Sequence, residues 1–292
     1  MTDIPNTVRD LNQKKERITV NLIEKKTACV TGATSGIGAA FAEKFAKQGY
    51  DLIITGRRKE KIESLSNTLS KENNIDVEVI IAELSDDKDL DFLAEKVKKI
   101  GLEILVNNAG FAKEKLFHKE DFSIHETMLK VHNLAIIKLC HAVLPHMVSK
   151  GKGIIINVSS MGAFTPFPTI AIYSATKSFV KLFTESIYLE LKGTGVKVQA
   201  LCPGMTRTDF HAKMGFDKNT YYQDKGMMKA MTSEEVVDIS LKYLEKDKVL
   251  CVPGGNNKLA RFLLKVLPRS VVYKMVSSIY HRKKTEGDFV RK

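Results

Sequence analysis

The sequence predicts a doubly wound α/β fold: one parallel sheet of about seven strands with helices on both faces, plus a C-terminal helical extension. Three observations carry this. Across residues 27–254, short β-rich runs alternate with stretches of helical spacing. Most of those runs are continuously apolar, as strands are when both faces of a parallel sheet are covered. The composition, 43% hydrophobic and 27% charged over 292 residues, is that of a globular chain and excludes wholesale disorder and collagen-like repeats.

Strands are expected at 27–31, 51–55, 77–82, 104–106, 153–158, 196–201 and 249–252. After the first, Ala39, Phe41, Ala42, Phe45 and Ala46 keep helical spacing up to Gly49, where a glycine can take the left-handed stop. A helix beginning near Ala171 carries Tyr173 and Lys177. Thr232-Ser233-Glu234-Glu235 is a Thr-x-x-Glu capping box opening another. Residues 1–26 read as a polar arm, 27–254 as the folded body and 255–292 as a basic extension, with no internal repeat.

The formal charge of +12 suggests nucleic acid until it is located. The arm carries +2, the body +2 and the extension +8. A neutral body offers no cationic groove for nucleic acid, whereas a basic extension suits an anionic surface. No apolar run reaches the ~18 residues of a membrane-spanning helix, and the first 26 residues lack the apolar stretch of a signal peptide. The four cysteines form no CxxC pair, so neither a disulfide framework nor a zinc ribbon is expected. A reducing, cytoplasmic setting with peripheral membrane contact is the expectation.

The first strand runs into Thr31-Gly32-Ala33-Thr34-Ser35-Gly36-Ile37-Gly38 and then a helix. Glycines there allow a tight turn and let backbone N–H groups approach a pyrophosphate at the positive end of the helix. A glycine turn alone is weak; strand before and amphipathic helix after strengthen it. The second strand ends Thr55-Gly56-Arg57-Arg58 with no carboxylate to bond ribose hydroxyls. Arginine matches a 2′-phosphate, so NADP(H) is expected over NAD. The bland alternative is that both arginines simply open a solvated helix.

Tyr173 and Lys177 are four residues apart and share a helix face. A tyrosine with a pKa near ~10 needs a neighbouring cation to act as an acid or base at neutral pH. With the glycine turn, Asn107-Asn108-Ala109-Gly110 and a serine thirteen residues before the tyrosine, chance is a poor explanation.

Over roughly residues 26–254 the chain resembles the short-chain dehydrogenase/reductase superfamily, and within it the branch of NADP-dependent ketoacyl and hydroxysteroid reductases, with their Rossmann-type sheet. The resemblance implies that Tyr173 exchanges the proton, Lys177 bonds the nicotinamide ribose, Ser160 bonds the substrate oxygen and Asn133 anchors a proton-relay water. It implies cofactor contacts from Gly32, Thr34, Ser35, Gly36, Ile37 and Gly38, and from Arg57 and Arg58. Further contacts would come from Glu83 and Leu84, from Asn108, Ala109 and Gly110, and from Pro203, Gly204, Thr206 and Thr208. Glu83 departs from the usual Asp and would accept from the adenine amino group on a longer side chain. Ser159 is expected to face away, and Asn107 to stabilise the sheet.

His118, His125 and His132 fall seven apart, with His141 and His146 following; no carboxylate or Cys completes a ligand set, so no metal site is expected. The expected reaction is hydride transfer between the nicotinamide and a carbonyl or secondary alcohol. A non-catalytic redox sensor would show a broken catalytic set, and a nucleotide-sugar epimerase a different glycine turn and a larger C-terminal domain. A third class, a membrane-surface module dominated by the tail, is compatible with the enzyme.

After Pro203-Gly204, Phe210, Met214, Phe216, Tyr221, Tyr222, Met227, Met228 and Met231 suit a lipophilic substrate, or merely the packing of a lid. In the extension, Leu259, Phe262, Leu263, Val266 and Leu267, then Val272, Met275, Val276, Ile279 and Tyr280, follow helical spacing around Pro268. Residues 258–284 thus predict two basic amphipathic helices, for a membrane surface, a second subunit or the chain's own body. A homo-oligomer is expected.

Overall fold

The computed structural model describes residues 26–212 and 229–285. Its strands are β1 (Thr27–Thr31), β2 (Asp51–Gly56), β3 (Val77–Ile81), β4 (Ile104–Asn107), β5 (Gly153–Val158), β6 (Val196–Leu201) and β7 (Leu250–Cys251). All neighbouring pairs are parallel, in the order β3-β2-β1-β4-β5-β6-β7. The last strand is shorter than expected, because its ladder with β6 joins only Ala200 to Leu250 and Leu201 to Cys251.

Each of the first six strands feeds a crossover helix: α1 (Gly36–Lys47), α2 (Lys59–Asn73) and α3 (Asp87–Ile100) follow the first three. After β4 come α4 (Phe122–Leu129), a π turn (Lys130–Leu134) and α5 (Ala135–Lys150) as one continuous helical run. After β5 comes α6 (Ala171–Glu190); after β6 come the short α7 (Asp209–Ala212) and then α8 (Ser233–Glu245). Gly49, just past α1, takes φ +75°. At α8 both capping-box bonds form: Glu235 N–H donates to Thr232 Oγ1 (3.2 Å) and Thr232 N–H to Glu235 Oε2 (2.9 Å), a cap worth about 1 kcal/mol.

Strand alternation divides the core in two. Cys29, Ile53, Leu105, Ile155 and Val198 are register partners across five strands and face one side. There Leu90, Leu93, Leu139, Val143 and Val180 of α3, α5 and α6 cover them. Val30, Ile54, Val106 and Ile156 face the other side, under Phe41, Phe45, Ile62 and Val236 of α1, α2 and α8. Each such side chain contributes about 1.5–3 kcal/mol by leaving water. Although no uninterrupted apolar run reaches spanning length, the folded helical run Phe122–Lys150 is by length and mean composition long and apolar enough to cross a membrane, and half of its most apolar window is buried within the protein.

Two further helices, α9 (Gly255–Val266) and α10 (Arg269–Thr285), make up the C-terminal extension. The polar arm lies outside the described residues but for Lys26. So do Met214, Phe216, Tyr221, Tyr222, Met227 and Met228.

The strand order reverses direction between β1 and β4. In an open parallel sheet, that switch point opens a crevice beyond the carboxyl ends of the strands. The glycine turn after β1 and the Asn107–Gly110 turn after β4 meet at its floor.

Candidate active site

The two turns are stitched together by Thr31. Its Oγ1 accepts the N–H groups of Asn108 and Ala109, each at 3.0 Å, while Asn108 Nδ2 donates back to the carbonyls of Thr31 and Gly32 at 3.0 and 3.1 Å. Gly32 and Gly36 sit at φ +67° and +61°, a region that bears a side chain poorly. A Cβ on Gly36 would stand 2.7 Å from Thr208 Cγ2. Ser35 precedes α1 with extended backbone and makes no side-chain cap bond. The first-turn N–H groups of α1 are therefore not taken by a capping side chain and form, with the helix dipole, a seat for an anion. A cavity of about 470 Å³ opens beside it, lined by Ser35, Gly36, Arg207 and Thr208 among others.

The structure separates the two arginines. Arg58 folds over the glycine turn: its Nη2 donates to Thr34 Oγ1 (2.6 Å) and Ser35 Oγ (2.8 Å), and its Nη1 lies 3.6 Å from Asp209 at the start of α7. Arg57 points to the neighbouring strand and pairs with Glu83 at 2.8 Å. Ser85 also donates to Glu83, from N and Oγ. Partial burial opposes ionisation of Glu83, but the Arg57 and Ser85 bonds outweigh it and hold the carboxyl below its ordinary pKa. Leu84 is packed into the core.

Four of the residues singled out by the chain's motifs converge where the end of β5, the first turns of α6 and the π turn meet. Tyr173 is half-buried and its hydroxyl is hydrogen-bonded to Ser160. Burial pushes the phenol pKa up and the Ser160 bond pulls it down, the net being upward. Ser160 Oγ also accepts the N–H of Gly162 at 3.1 Å. Lys177, 4% exposed, places its Nζ 5.8 Å from the Tyr173 ring centre; burial lowers its pKa to about 8. Ser159 turns away from Tyr173's side and donates to the Lys177 carbonyl at 2.7 Å. Asn133, buried in the π turn, donates from Nδ2 to the Thr176 carbonyl at 3.1 Å.

His132 is a residue the sequence did not mark out for the site. It is fully buried beside Asn133, and Phe111 N–H donates to its Nε2 at 3.1 Å. Its Nδ1 lies 2.9 Å from Thr176 Oγ1, and Thr176 Oγ1 itself donates to the Tyr173 carbonyl at 2.8 Å. His118 lies in the short 3-10 turn Phe117–Lys119, and His125 stacks on Phe117 with ring centres 4.9 Å apart.

Asn107 does brace the sheet: its Nδ2 donates to Asn157 Oδ1 at 2.8 Å. Gly110 leaves room for the site, since a Cβ there would stand 3.0 Å from His132 Nε2 and 3.5 Å from Lys177 Nζ. Pro203 accepts the Met161 N–H at 2.9 Å. Gly204 lies against Asn257 of α9, and Thr206 Oγ1 donates to the Gly204 carbonyl at 3.1 Å. Phe210 reaches the site, its ring centre 5.8 Å from that of Tyr173.

The sequence profile described as short chain dehydrogenase matches residues 26–219. The chain belongs to this family. The very-long-chain 3-oxoacyl-CoA reductase of Mus musculus is 36% identical over 189 residues, 62% of this chain and 59% of that protein. The chain thus matches three-fifths of the length of that relative. Sulfoacetaldehyde reductase 2 of Chromohalobacter salexigens is 34% identical, covering 71% of this chain and 85% of that one. Among solved family structures, a short-chain dehydrogenase from Sphingobium yanoikuyae in complex with NADPH superposes with a TM-score of 0.74 at 29% identity, over 91% of this chain and 96% of that one. A structure described for 7β-hydroxysteroid dehydrogenase stereoselectivity gives 0.77 at 27% identity, over 88% and 99%.

Proposed function

We propose that the chain is an NADP(H)-dependent oxidoreductase acting on a carbonyl or secondary alcohol. The observation that carries this reading is the Ser160–Tyr173–Lys177 cluster, standing across the crevice from a glycine turn topped by Arg58. The seat fits the cofactor: α1 presents uncapped N–H groups, glycines stand where a Cβ would collide, and Arg58 lies over Thr34 and Ser35. Bound NADPH supplies the hydride. In the reducing direction Tyr173 gives its proton to the substrate oxygen, and Ser160 donates a hydrogen bond to the charge developing there. Lys177 holds the ribose and stabilises the phenolate that Tyr173 becomes. Asn133 keeps the Thr176 turn, and with it Tyr173 and Lys177, in place, and anchors the proton-relay water. Arg58 takes the 2′-phosphate, and Glu83 the adenine edge. Ile37, Ala109, Gly110 and Thr208 line the same crevice.

The substrate we propose is lipophilic. Phe210 abuts Tyr173, and the name of the mouse relative specifies a very-long-chain acyl-CoA. The test is a panel of 3-oxoacyl-CoA thioesters, oxosteroids and sulfoacetaldehyde, each with NADPH and with NADH, run on wild type and Tyr173→Phe. NADPH-driven reduction of the lipophilic members, lost in the variant, is the expected result; NADH preference or an active variant overturns the reading.

The extension supports peripheral binding to an anionic membrane. On α9 the apolar stripe is open to solvent, with Phe262 59% exposed and Val266 55%, and residues 255–285 contain eight Lys/Arg and no Asp/Glu. An apolar face flanked by cations lies in the headgroup boundary of an anionic bilayer. The helix is anchored beside the site, with Arg261 stacked 5.5 Å from the Phe164 ring centre. Flotation with anionic and neutral vesicles, comparing the full chain with one ending at Gly255, decides it; binding to neither overturns the membrane role. Exposed Leu182 and Leu189 on α6 supply the surface for the homo-oligomer we propose, checked by light scattering.

A further inference from the structure

We infer that His132 is a positioning residue, a neutral strut that holds the turn bearing Tyr173 and Lys177 against the Gly110–Phe111 backbone. The inference rests on the oxidoreductase reading above. The tautomer follows from the bonds around the ring. Nε2 receives the Phe111 N–H at 3.1 Å, so it is the bare nitrogen. Thr176 Oγ1 spends its proton on the Tyr173 carbonyl at 2.8 Å, so at 2.9 Å it can only accept from Nδ1–H. A second proton on the ring would displace the Phe111 bond. Burial first, and the neighbouring Lys177 charge second, oppose that proton and hold the ring's pKa well below its ordinary value.

The two ends of the strut join separate parts of the site. Phe111 N–H belongs to the loop that follows β4 at the cofactor crevice. Thr176 lies between Tyr173 and Lys177 on α6, and the same residue's carbonyl is held by Asn133 at 3.1 Å. Consecutive residues of the π turn thus take the hydroxyl and the carbonyl of one α6 residue, an arrangement in keeping with π bulges at functional sites. The ring also meets Tyr173 edge-on, centres 5.9 Å apart at 78°. Gly110 gives it room.

The test uses the full chain with His132→Gln, which keeps an acceptor for Phe111, and His132→Asn, which keeps a donor for Thr176. Each loses one end of the strut. Tyr173 ionisation is followed without cofactor by ultraviolet difference titration against Tyr173→Phe backgrounds, alongside NADPH fluorescence titration and thermal unfolding. In wild type, the expected result is a Tyr173 titration raised above the ordinary phenol range by burial. In whichever variants fold, its titration moves back toward that range as water reaches the loosened turn, and the NADPH Kd rises about tenfold. A purely structural histidine would lower the unfolding temperature and leave the Tyr173 titration where it is; that result overturns the inference. Because the tyrosine titration needs no cofactor, it decides the strut even if wild type ignores NADPH, an outcome that would sink only the oxidoreductase reading.

Discussion

Lys177 donates from Nζ to the backbone carbonyl of Val158, the last residue of β5, at 2.9 Å. That single neutral acceptor is a thin partner for a buried ammonium. Burial depresses its pKa from 10.5 to about 8, a displacement that corresponds to a cost of about 3 kcal/mol for carrying the charge in the folded state. Because the folded pKa lies below the unfolded one, the cost is fully present below about pH 8 and is relieved as pH rises from there toward 10.5.

Lys177→Met should therefore stabilise the cofactor-free protein near neutral pH. Losing the bond to Val158 takes back about 1 kcal/mol, leaving a net gain of about 2 kcal/mol in denaturant unfolding. The gain should shrink as pH rises above 8, and NADPH binding should weaken at least tenfold. Equal stability of the two proteins at pH 7 would show that Lys177 is not held charged at a cost.

Tyr173→Phe should reduce kcat by about 10²–10⁴-fold, the usual share of a general acid, while NADPH still binds. Lys177→Ala should damage both. Stopped-flow single turnovers with NADPH fluorescence separate the two effects.

Arg58→Ala should remove most of the preference for NADPH over NADH, whereas Arg57→Ala should leave it largely intact, since Arg57 is occupied by Glu83. Asp209→Asn should tighten NADPH binding several-fold, because the Asp209 carboxylate beside Arg58 competes with the 2′-phosphate for the same guanidinium. Calorimetric titration with NADPH, NADH and 2′,5′-ADP checks all three. The reverse ranking of the two arginines would relocate the phosphate seat.

Gly38→Ala should be costly despite ordinary backbone angles. The new Cβ would stand 2.4 Å from both the Gly32 carbonyl oxygen and Asn108 Nδ2, and backbone cannot move aside cheaply. Overpacking of this kind costs about 1–3 kcal/mol, read as a lowered melting midpoint together with lost cofactor binding. Gly49→Ala, where the Cβ meets nothing but φ is +75°, should cost about 1 kcal/mol from backbone strain alone.

The strands were legible because each interior one is an apolar run bounded by turn residues, and the observed ends fall within a residue of expectation. Only the two edge strands shrank, β3 by one residue and β7 by two. The split between Arg57 and Arg58 was not legible, because alternation makes it depend on where β2 stops. The strand runs one residue further, through Gly56, which sends Arg57 toward β3 and Arg58 toward the glycine turn. Tyr173, Lys177 and Ser160 sit in recognisable spacings. His132 does not, because its partners are a backbone N–H 21 residues before it and a hydroxyl 44 residues after it. No periodicity in the chain encodes either contact.

The widened turn at Lys130–Leu134 makes this stretch intolerant of length change in a particular way. One surplus residue is accommodated there, so α4 and α5 each keep their own buried stripe while two adjacent side chains aim at α6. Deleting any one residue of the five would restore regular winding at ~100° per residue. The shortened helix could still bury its stripes, yet only one prong of the pair would reach Thr176. Such a deletion would leave a folded shell whose crevice binds its ligands loosely, a separation of foldability from working geometry that no single side-chain replacement in the stripes could produce.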